Sequence, residues 1–323
     1  MRLIALEEHY ASREFLDGPA HTLKERAQSP GSPLASVVEK LLDLGAGRIS
    51  EMDAAKIDMQ ILSLTAPGVE QLDASDSVAL ARQANDSLAE AVRKHPRRFA
   101  GFAALPTPQP EAAAAELERT VRDHGFKGAM INGHSRGQYL DNRSFWPILE
   151  RAEALNVPIY LHPTFPPRAV IEAYYGGFSP MLSETLSGPG WGWHIETAVH
   201  VLRMVLAGVF DRFPKLQIVI GHMGEALPFM MERFHAMPRE LTKLQRPVID
   251  YLRDNVHYTF GGFNFTPTFL DLLFEVGIER IMFSADYPYG PMHRATDFFE
   301  QLPISPMDKE KIAHLNAERL FGL

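Results

Sequence analysis

Cysteine is absent from this 323-residue sequence. The absence excludes disulfide bonds and thiolate metal ligands, so any bound metal ion must be held by nitrogen and oxygen atoms. A chain without cysteine is typical of a reducing compartment, and we expect a cytoplasmic location.

Positive charge is scarce as well. The chain has 32 lysines and arginines against 40 aspartates and glutamates, a net charge of -8, so it lacks the basic surface that nucleic acids and anionic membranes attract. No apolar run approaches the about 18 residues of a membrane-spanning helix, and the short run at Leu3–Leu6 reaches Glu7 too soon for a signal peptide. We therefore expect a small-molecule partner, and no nucleic-acid or membrane partner.

What the chain does contain, 46% hydrophobic and 22% charged residues, is typical of a folded globular protein. Short β-type runs alternate with amphipathic helical stretches, which predicts a parallel sheet, and eight such units can close into a barrel. The predicted strands are Leu3–Leu6, Gln60–Leu64, Phe99–Leu105, Gly128–Asn132, Val157–Leu161, Leu216–Ile220, Val256–Phe260 and Arg280–Ser284. The predicted helices include Ser77–His95, Pro110–His124, Ser144–Leu155, Ile195–Phe210 and Thr268–Val276. We predict an α/β fold, a single (β/α)8 TIM barrel formed by one domain, residues 1–323.

Two segments are too long for simple connections, 10–49 after strand one and 163–193 after strand five. Both leave the end of the barrel where active sites are built. We expect these long rim loops to cover the pocket. The aromatic residues of the second segment should make the cover largely apolar; they are Tyr174, Tyr175, Phe178, Trp191 and Trp193.

Acidic and imidazole side chains follow the ends of four predicted strands: Glu7 and His9, His162, His222, and Asp286. In a parallel barrel these strand ends meet on one rim, where a single divalent metal ion would explain all five side chains. Each residue alone is more simply a loop or helix cap, and four strands in agreement weigh against that reading.

The first-strand pair favours a metal ion because alternation of side chains along a strand places Glu7 and His9 on one face and Glu8 on the other. A set of carboxylate oxygens and imidazole nitrogens suits zinc or manganese, and both metals stay open.

Motifs along nearly the whole chain extend this pattern. They are Glu7-x-His9, Leu161-His162-Pro163, Gly221-His222-Met223-Gly224-Glu225, Ser284-Ala285-Asp286-Tyr287-Pro288 and Asn316-Ala317-Glu318-Arg319-Leu320-Phe321. Together the motifs resemble those of the amidohydrolase superfamily, specifically its decarboxylase branch, and most nearly the γ-resorcylate (2,6-dihydroxybenzoate) and 2,3-dihydroxybenzoate decarboxylases.

The resemblance implies that the metal ligands are Glu7, His9, His162 and Asp286. It also implies that Asp286, His222 and Glu225 are the catalytic residues. Hydrolytic relatives commonly carry a carbamylated lysine at the end of strand four, where this chain has Asn132. We therefore expect one divalent metal ion and no organic cofactor.

Three residues are candidates for substrate binding. Arg233 matches the family position for anionic groups, but about 16 Å of unbroken helix would separate it from His222 unless Pro228 redirects the chain. Trp191 belongs to the expected aromatic cover, and His293 follows the last strand near the rim. For His194, which lies in or beside a predicted helix, we expect packing or capping.

The predicted reaction is the metal-dependent, non-oxidative decarboxylation of an ortho-hydroxybenzoate, a small aromatic carboxylate, to a phenol and CO2. Asp286 would deliver a proton to the ring carbon that carries the carboxylate. The alternative is a mononuclear metallohydrolase or hydratase acting on a lactone, an amide or an unsaturated carboxylic acid, and a third reading is a non-catalytic binding protein whose ligand set is broken. By resemblance we expect a homodimer or homotetramer.

Overall fold

A computed structural model describes residues 1–323 as an α/β fold with parallel strands. The strands are Ile4–Tyr10 (β1), Met59–Leu64 (β2), Phe99–Gly101 (β3), Ala103–Ala104 (β4), Ala129–Asn132 (β5), Ile159–His162 (β6), Ile218–Ile220 (β7), Val256–Thr259 (β8) and Ile281–Met282 (β9). They form two sheets in the orders β1-β2-β3 and β4-β5-β6-β7-β8-β9, and every pairing is parallel.

The helices lie between and after the strands. The α-helices are Arg13–Asp17 (α1), His21–Ala27 (α2), Leu34–Leu42 (α3), Ala46–Ala54 (α4), Ala74–Lys94 (α5), Pro110–His124 (α6), Trp146–Leu155 (α7), Arg168–Val170 (α8), Pro180–Ser187 (α9), Gly192–Leu206 (α10), Val209–Arg212 (α11), Met231–His235 (α12), Arg239–Thr242 (α13), Val248–Asp254 (α14), Thr266–Val276 (α15), Met292–Gln301 (α16), Pro306–Glu310 (α17) and Asn316–Phe321 (α18). No helix is both long and apolar enough to cross a bilayer.

Strand three is divided where the prediction had one strand. Its first half pairs with β2 and its second half with β5. At the junction the Phe102 amide donates to Leu62 O at 2.8 Å, and the Ala103 amide donates to Gly128 O at 2.9 Å. Hydrogen bonds from one continuous segment therefore link the two sheets. On the other side, a parallel bridge joins Leu6 of β1 to Ser284 after β9.

Two apolar clusters explain how the strands are held. A cluster of 70 buried residues lies mainly between the strands and the helices. A smaller cluster of 12 buried residues takes side chains from most strands and adds Ala317 and Phe321 of α18. The smaller cluster includes Ile4 and Leu6, which define the inner face of β1.

The two long segments contain helices rather than open loops. Residues 11–58 include α1, α2, α3 and α4, and residues 163–191 include α8 and α9. The expected aromatic cover is uneven: Tyr175 is buried and Trp193 is half-buried against Phe165, whereas Tyr174, Phe178 and Trp191 are 74%, 55% and 51% exposed.

Candidate metal centre and catalytic cluster

The predicted metal and catalytic side chains lie close together at the carboxyl ends of the strands. Ligand atoms fall within 4.8 Å of one another in three overlapping groups. The groups are Glu7–His162–His222, His9–His162–Asp286 and His194–His222–Glu225.

Glu7 reaches the cluster because the backbone of β1 changes register. Ala5 pairs with Gln60 but Glu8 pairs with Leu62, so one extra residue lies on β1, and Glu7 has a φ of 62°. Strict alternation from the inward-facing Leu6 would direct Glu8 inward. Glu7 and His9 both face the cluster and Glu8 does not, as alternation of side chains predicts. The cause is different, since it is the register shift that turns Glu7 and His9 toward the cluster.

Glycine directly before His222 makes room for the Glu7 carboxylate. A Cβ at Gly221 would lie 2.3 Å from Glu7 Oε1 and 2.7 Å from Glu7 Oε2. The Thr259 hydroxyl donates to Glu7 Oε2 at 3.1 Å, while Glu7 Oε1 is buried without a hydrogen-bond partner. Burial raises the pKa of Glu7 to about 8, although the Coulomb attraction of His222 opposes the shift.

His9, His162 and Asp286 complete one side of the cluster. His9 Nε2 lies 3.3 Å from Asp286 Oδ1 and has no hydrogen-bond partner. His162 Nδ1 donates to Pro163 O at 2.8 Å, which leaves its Nε2 directed toward Glu7 Oε1 at 3.8 Å. Burial, followed by the charge of His9, lowers the pKa of His162 well below its ordinary value. The neutral imidazole therefore offers a lone pair.

A hydrogen-bonded chain of His222, Glu225 and His194 forms the other side. His222 Nδ1 lies 2.8 Å from Glu225 Oε1, and His194 Nδ1 lies 2.5 Å from Glu225 Oε2. Burial opposes the charge on His222, but Glu7 and Glu225 outweigh burial and raise the pKa of His222 to about 10. Burial likewise opposes the charge on Glu225, and the two imidazoles lower its pKa. The sequence predicts only packing or capping for His194, and no strand-end signal marks it.

These atoms fit a divalent cation. Buried polar atoms almost always have partners, and a buried carboxylate without one is costly. Glu7 Oε1 and His9 Nε2 break that rule, and each lies beside other potential ligand atoms of the same cluster. A cation held by nitrogen and oxygen atoms would satisfy both.

The backbone of the cluster is held in an uncommon conformation. Glu7, His222, Glu225 and Asp286 have φ values of 62°, 49°, 55° and 61°. Left-handed backbone at residues other than glycine costs free energy and is concentrated at functional sites. The fold therefore places these side chains at an expense to stability.

None of the three predicted substrate-binding residues joins this cluster in the single chain. Arg233 in α12, Trp191 and His293 at the start of α16 are all exposed. No unbroken helix joins Arg233 to His222, because Met223, Gly224, Glu225 and Ala226 all have positive φ and a short 3-10 turn at Pro228–Met230 follows.

Beneath the cluster, Glu8 faces away from it into a buried polar network. Glu8 Oε1 accepts from the Ala285 amide and Glu8 Oε2 from Gln60 Nε2, both at 2.8 Å. Arg48, which is 0% exposed, donates from Nη2 to His9 O at 2.6 Å and from Nη1 to Gln60 Oε1 at 3.4 Å. The network joins the backbone of β1 to the segment that carries Asp286.

Comparisons with known proteins agree with this fold and cluster. Residues 38–323 match the amidohydrolase family. The chain is 41% identical to γ-resorcylate decarboxylase of Polaromonas sp. strain JS666, over 99% of this chain and 98% of that protein. A crystal structure of 2,6-dihydroxybenzoate decarboxylase in complex with 2,6-dihydroxybenzoate has a TM-score of 0.91 at 40% identity and covers 100% of both chains.

A crystal structure of dihydroxybenzoic acid decarboxylase from Polaromonas sp. JS666, with bound manganese and the inhibitor 2-nitroresorcinol, also has a TM-score of 0.91 at 40% identity. It covers 100% of this chain and 97% of that one. The chain therefore belongs to the amidohydrolase family, in its decarboxylase branch, as the sequence motifs predict.

Proposed function

We propose that the protein catalyses metal-dependent, non-oxidative decarboxylation of an ortho-hydroxybenzoate to a phenol and CO2. The observation that carries the proposal is the convergence of Glu7, His9, His162 and Asp286 beside the hydrogen-bonded pair His222–Glu225. The relatives of this branch act on aromatic carboxylates according to their names.

The residues that would hold one zinc or manganese ion are Glu7, His9, His162 and Asp286. Manganese is present in a related structure at 40% identity, and the ligand set suits either metal. When bound, the cation supplies Lewis-acid stabilisation for negative charge on the phenolate and carboxylate oxygens of the substrate. No organic cofactor enters the scheme.

Asp286 is the proton carrier in this proposal. It takes the proton of the ortho hydroxyl and delivers it to the ring carbon that carries the carboxylate, so a new C–H bond forms there. The C–C bond to the carboxylate then breaks, its electron pair restores the aromatic ring, and CO2 leaves. A proton from solvent finally returns to the phenolate oxygen.

His222 is placed to assist Asp286, because its Nε2 lies 3.9 Å from Asp286 Oδ2. Its ring is held by the hydrogen bond to Glu225 and faces Asp286, so it can relay a proton or hold the phenolate. Glu225 and His194 hold the ring in position from the opposite side. Arg233, Trp191 and His293 remain candidates for substrate binding.

We further infer that residues 1–323 form a single domain and that the strands, with β3 and β4 counted as the two halves of one, close into one (β/α)8 barrel. The Leu6–Ser284 bridge and the hydrogen bonds at Phe102 and Ala103 support closure. A cytoplasmic homodimer or homotetramer is the expected form.

The test is a substrate panel. Protein loaded with manganese or zinc is incubated with 2,6-dihydroxybenzoate, 2,3-dihydroxybenzoate and salicylate, and loss of the substrate and gain of the phenol are followed by chromatography. We expect CO2 release with at least one of them, and abolition of turnover in D286N. The matched control is D123N, because Asp123 is exposed and forms no ion pair.

A parallel panel of lactones, amides and unsaturated acids tests the hydrolase and hydratase alternative. Turnover of one of these compounds, together with inert hydroxybenzoates, would contradict the proposal. Failure to retain any divalent metal would contradict both enzymatic readings.

A further inference from the structure

A cavity lies at the opposite end of the strands from the catalytic cluster. Its volume is about 560 Å3. Gln217 directly precedes β7, His257 lies in the first half of β8, and Arg280 directly precedes β9, and all three line it. The predicted metal ligands instead lie at the carboxyl ends of strands, so the cavity is separate from the proposed active site.

The cavity is positively charged although the whole chain is acidic. Lys215, Arg280 and Arg319 line it, and Glu279 is its only acidic lining residue. Glu279 is already paired with Lys311 at 2.8 Å and with Arg319 at 3.1 Å. A net positive cavity on a chain of net charge -8 is a local feature that the composition does not predict.

Arg280 is held in place without a carboxylate partner. Its Nη1 donates to Gln217 Oε1 at 3.1 Å and lies 3.0 Å from His257 Nε2, and these are its only side-chain hydrogen bonds. The half-buried guanidinium therefore keeps its Nε and Nη2 donors free. A guanidinium that its neighbours hold at one edge suits two-point recognition of an oxyanion by the others.

His257 supports this arrangement as a neutral group. It is 5% exposed, and burial, followed by the charges of Arg280 and Arg319, lowers its pKa to about 3. The imidazole therefore adds no charge at neutral pH and positions the Arg280 side chain.

We propose that this cavity binds a small oxyanion carrying two or more negative charges. Arg280 would make the two-point contact, and Lys215 would supply further positive charge, since Arg319 is already paired with Glu279. The volume lies in the range of small-ligand pockets and suits a phosphate group or a polycarboxylate. The proposal does not depend on the decarboxylase activity.

The experiment is calorimetric titration of the metal-loaded full chain with inorganic phosphate and, separately, with citrate, at low ionic strength. The anion with the lower dissociation constant identifies the class of ligand, a phosphate group or a polycarboxylate. We expect R280Q to weaken binding at least about tenfold, because charge-assisted hydrogen bonds are lost. K215Q should weaken it by a smaller factor. R93Q is the control, since Arg93 is exposed and has no side-chain partner.

Equal affinity in wild type, R280Q and K215Q would overturn the proposal, because phosphate would then be binding elsewhere, for example at the metal. Absence of binding for both anions would overturn it as well. K215Q keeps the test decisive if R280Q does not fold, because Lys215 is exposed and forms no ion pair.

Discussion

Replacement of Arg48 by methionine should show how strongly the buried network supports the catalytic cluster. The guanidinium donates to three backbone carbonyls, His9 O at 2.6 Å, Asp43 O at 2.8 Å and Lys40 O at 3.0 Å. It also lies 4.8 Å from the centre of the Tyr287 ring, next to Asp286. Methionine keeps much of the apolar stem and removes every one of these donors.

The magnitude follows from burial. A hydrogen bond to a charged group contributes about 1.5–3 kcal/mol, but such contributions are not additive. Removing one partner of a buried charged network typically costs about 3–5 kcal/mol, because the other groups stay buried without compensation. We expect the free energy of unfolding to fall by about that amount, and metal affinity to fall by about ten- to a hundredfold as the His9 backbone loosens.

Urea denaturation followed by circular dichroism measures the first effect, and dialysis against a metal buffer measures the second. R93M is the matched control. In the E8Q/R48M double variant, both changes disturb the same buried network through Gln60, so its loss should be smaller than the sum of the two single losses. An R48M protein within about 1 kcal/mol of wild type and with unchanged metal affinity would refute the reasoning.

Three further changes probe the cluster and the core. G221A should abolish retention of the metal, because the new Cβ would lie 2.3 Å from Glu7 Oε1, as metal analysis after gel filtration would show. H194Q should lower kcat by about ten- to a hundredfold and leave KM and metal content little changed, because it weakens the support of Glu225. Burial lowers the pKa of His200 to about 3, so its contribution to stability is present above pH 6.5 and is lost as the pH falls toward 3. As the pH falls toward 3, the free energy of unfolding of H200Q should therefore fall by roughly 4 kcal/mol less than that of wild type. Urea denaturation at each pH measures this difference.

Each of these outcomes has a counterpart that would contradict it. For the glycine change, G45A is a control, since a Cβ there would make only an ordinary contact of 3.5 Å with Asp43 Oδ1. An H194Q protein whose KM rises while kcat is unchanged would move His194 from positioning to substrate binding. A wild-type protein and an H200Q protein with parallel acid titrations would exclude His200 as a source of acid sensitivity.

Strand and helix positions were predictable because periodicity is a local property of the sequence. The predicted helix Pro110–His124 coincides with α6, where proline stands at the first turn without disturbing it. The division of strand three at Phe102 was not predictable, because it arises where the chain stops pairing with β2 and begins to pair with β5. The register shift at Glu7 was missed for the same reason.

Some residues of the cluster could be predicted from the sequence and others could not. His162 and Asp286 follow apolar strands, so local sequence marks them. His194 follows no such strand and joins the cluster through contacts with Glu225, 31 residues away, and with the His222 ring, whose centre lies 4.9 Å from its own. The buried charge of Arg48 was equally hidden, since an arginine in a helix usually lies in solvent.

The order of residues alone determined the alternation of strands and helices, the restriction to nitrogen and oxygen ligands, and the side chains that stand at strand ends. Those properties depend on neighbours in the chain. The tertiary structure decided which face Glu7 takes, which imidazoles share the Glu225 carboxylate and where an arginine stays without a carboxylate partner. Such contacts join residues from distant parts of the chain, and their hydrogen bonds and charges acquire their strength only when folding removes water from around them.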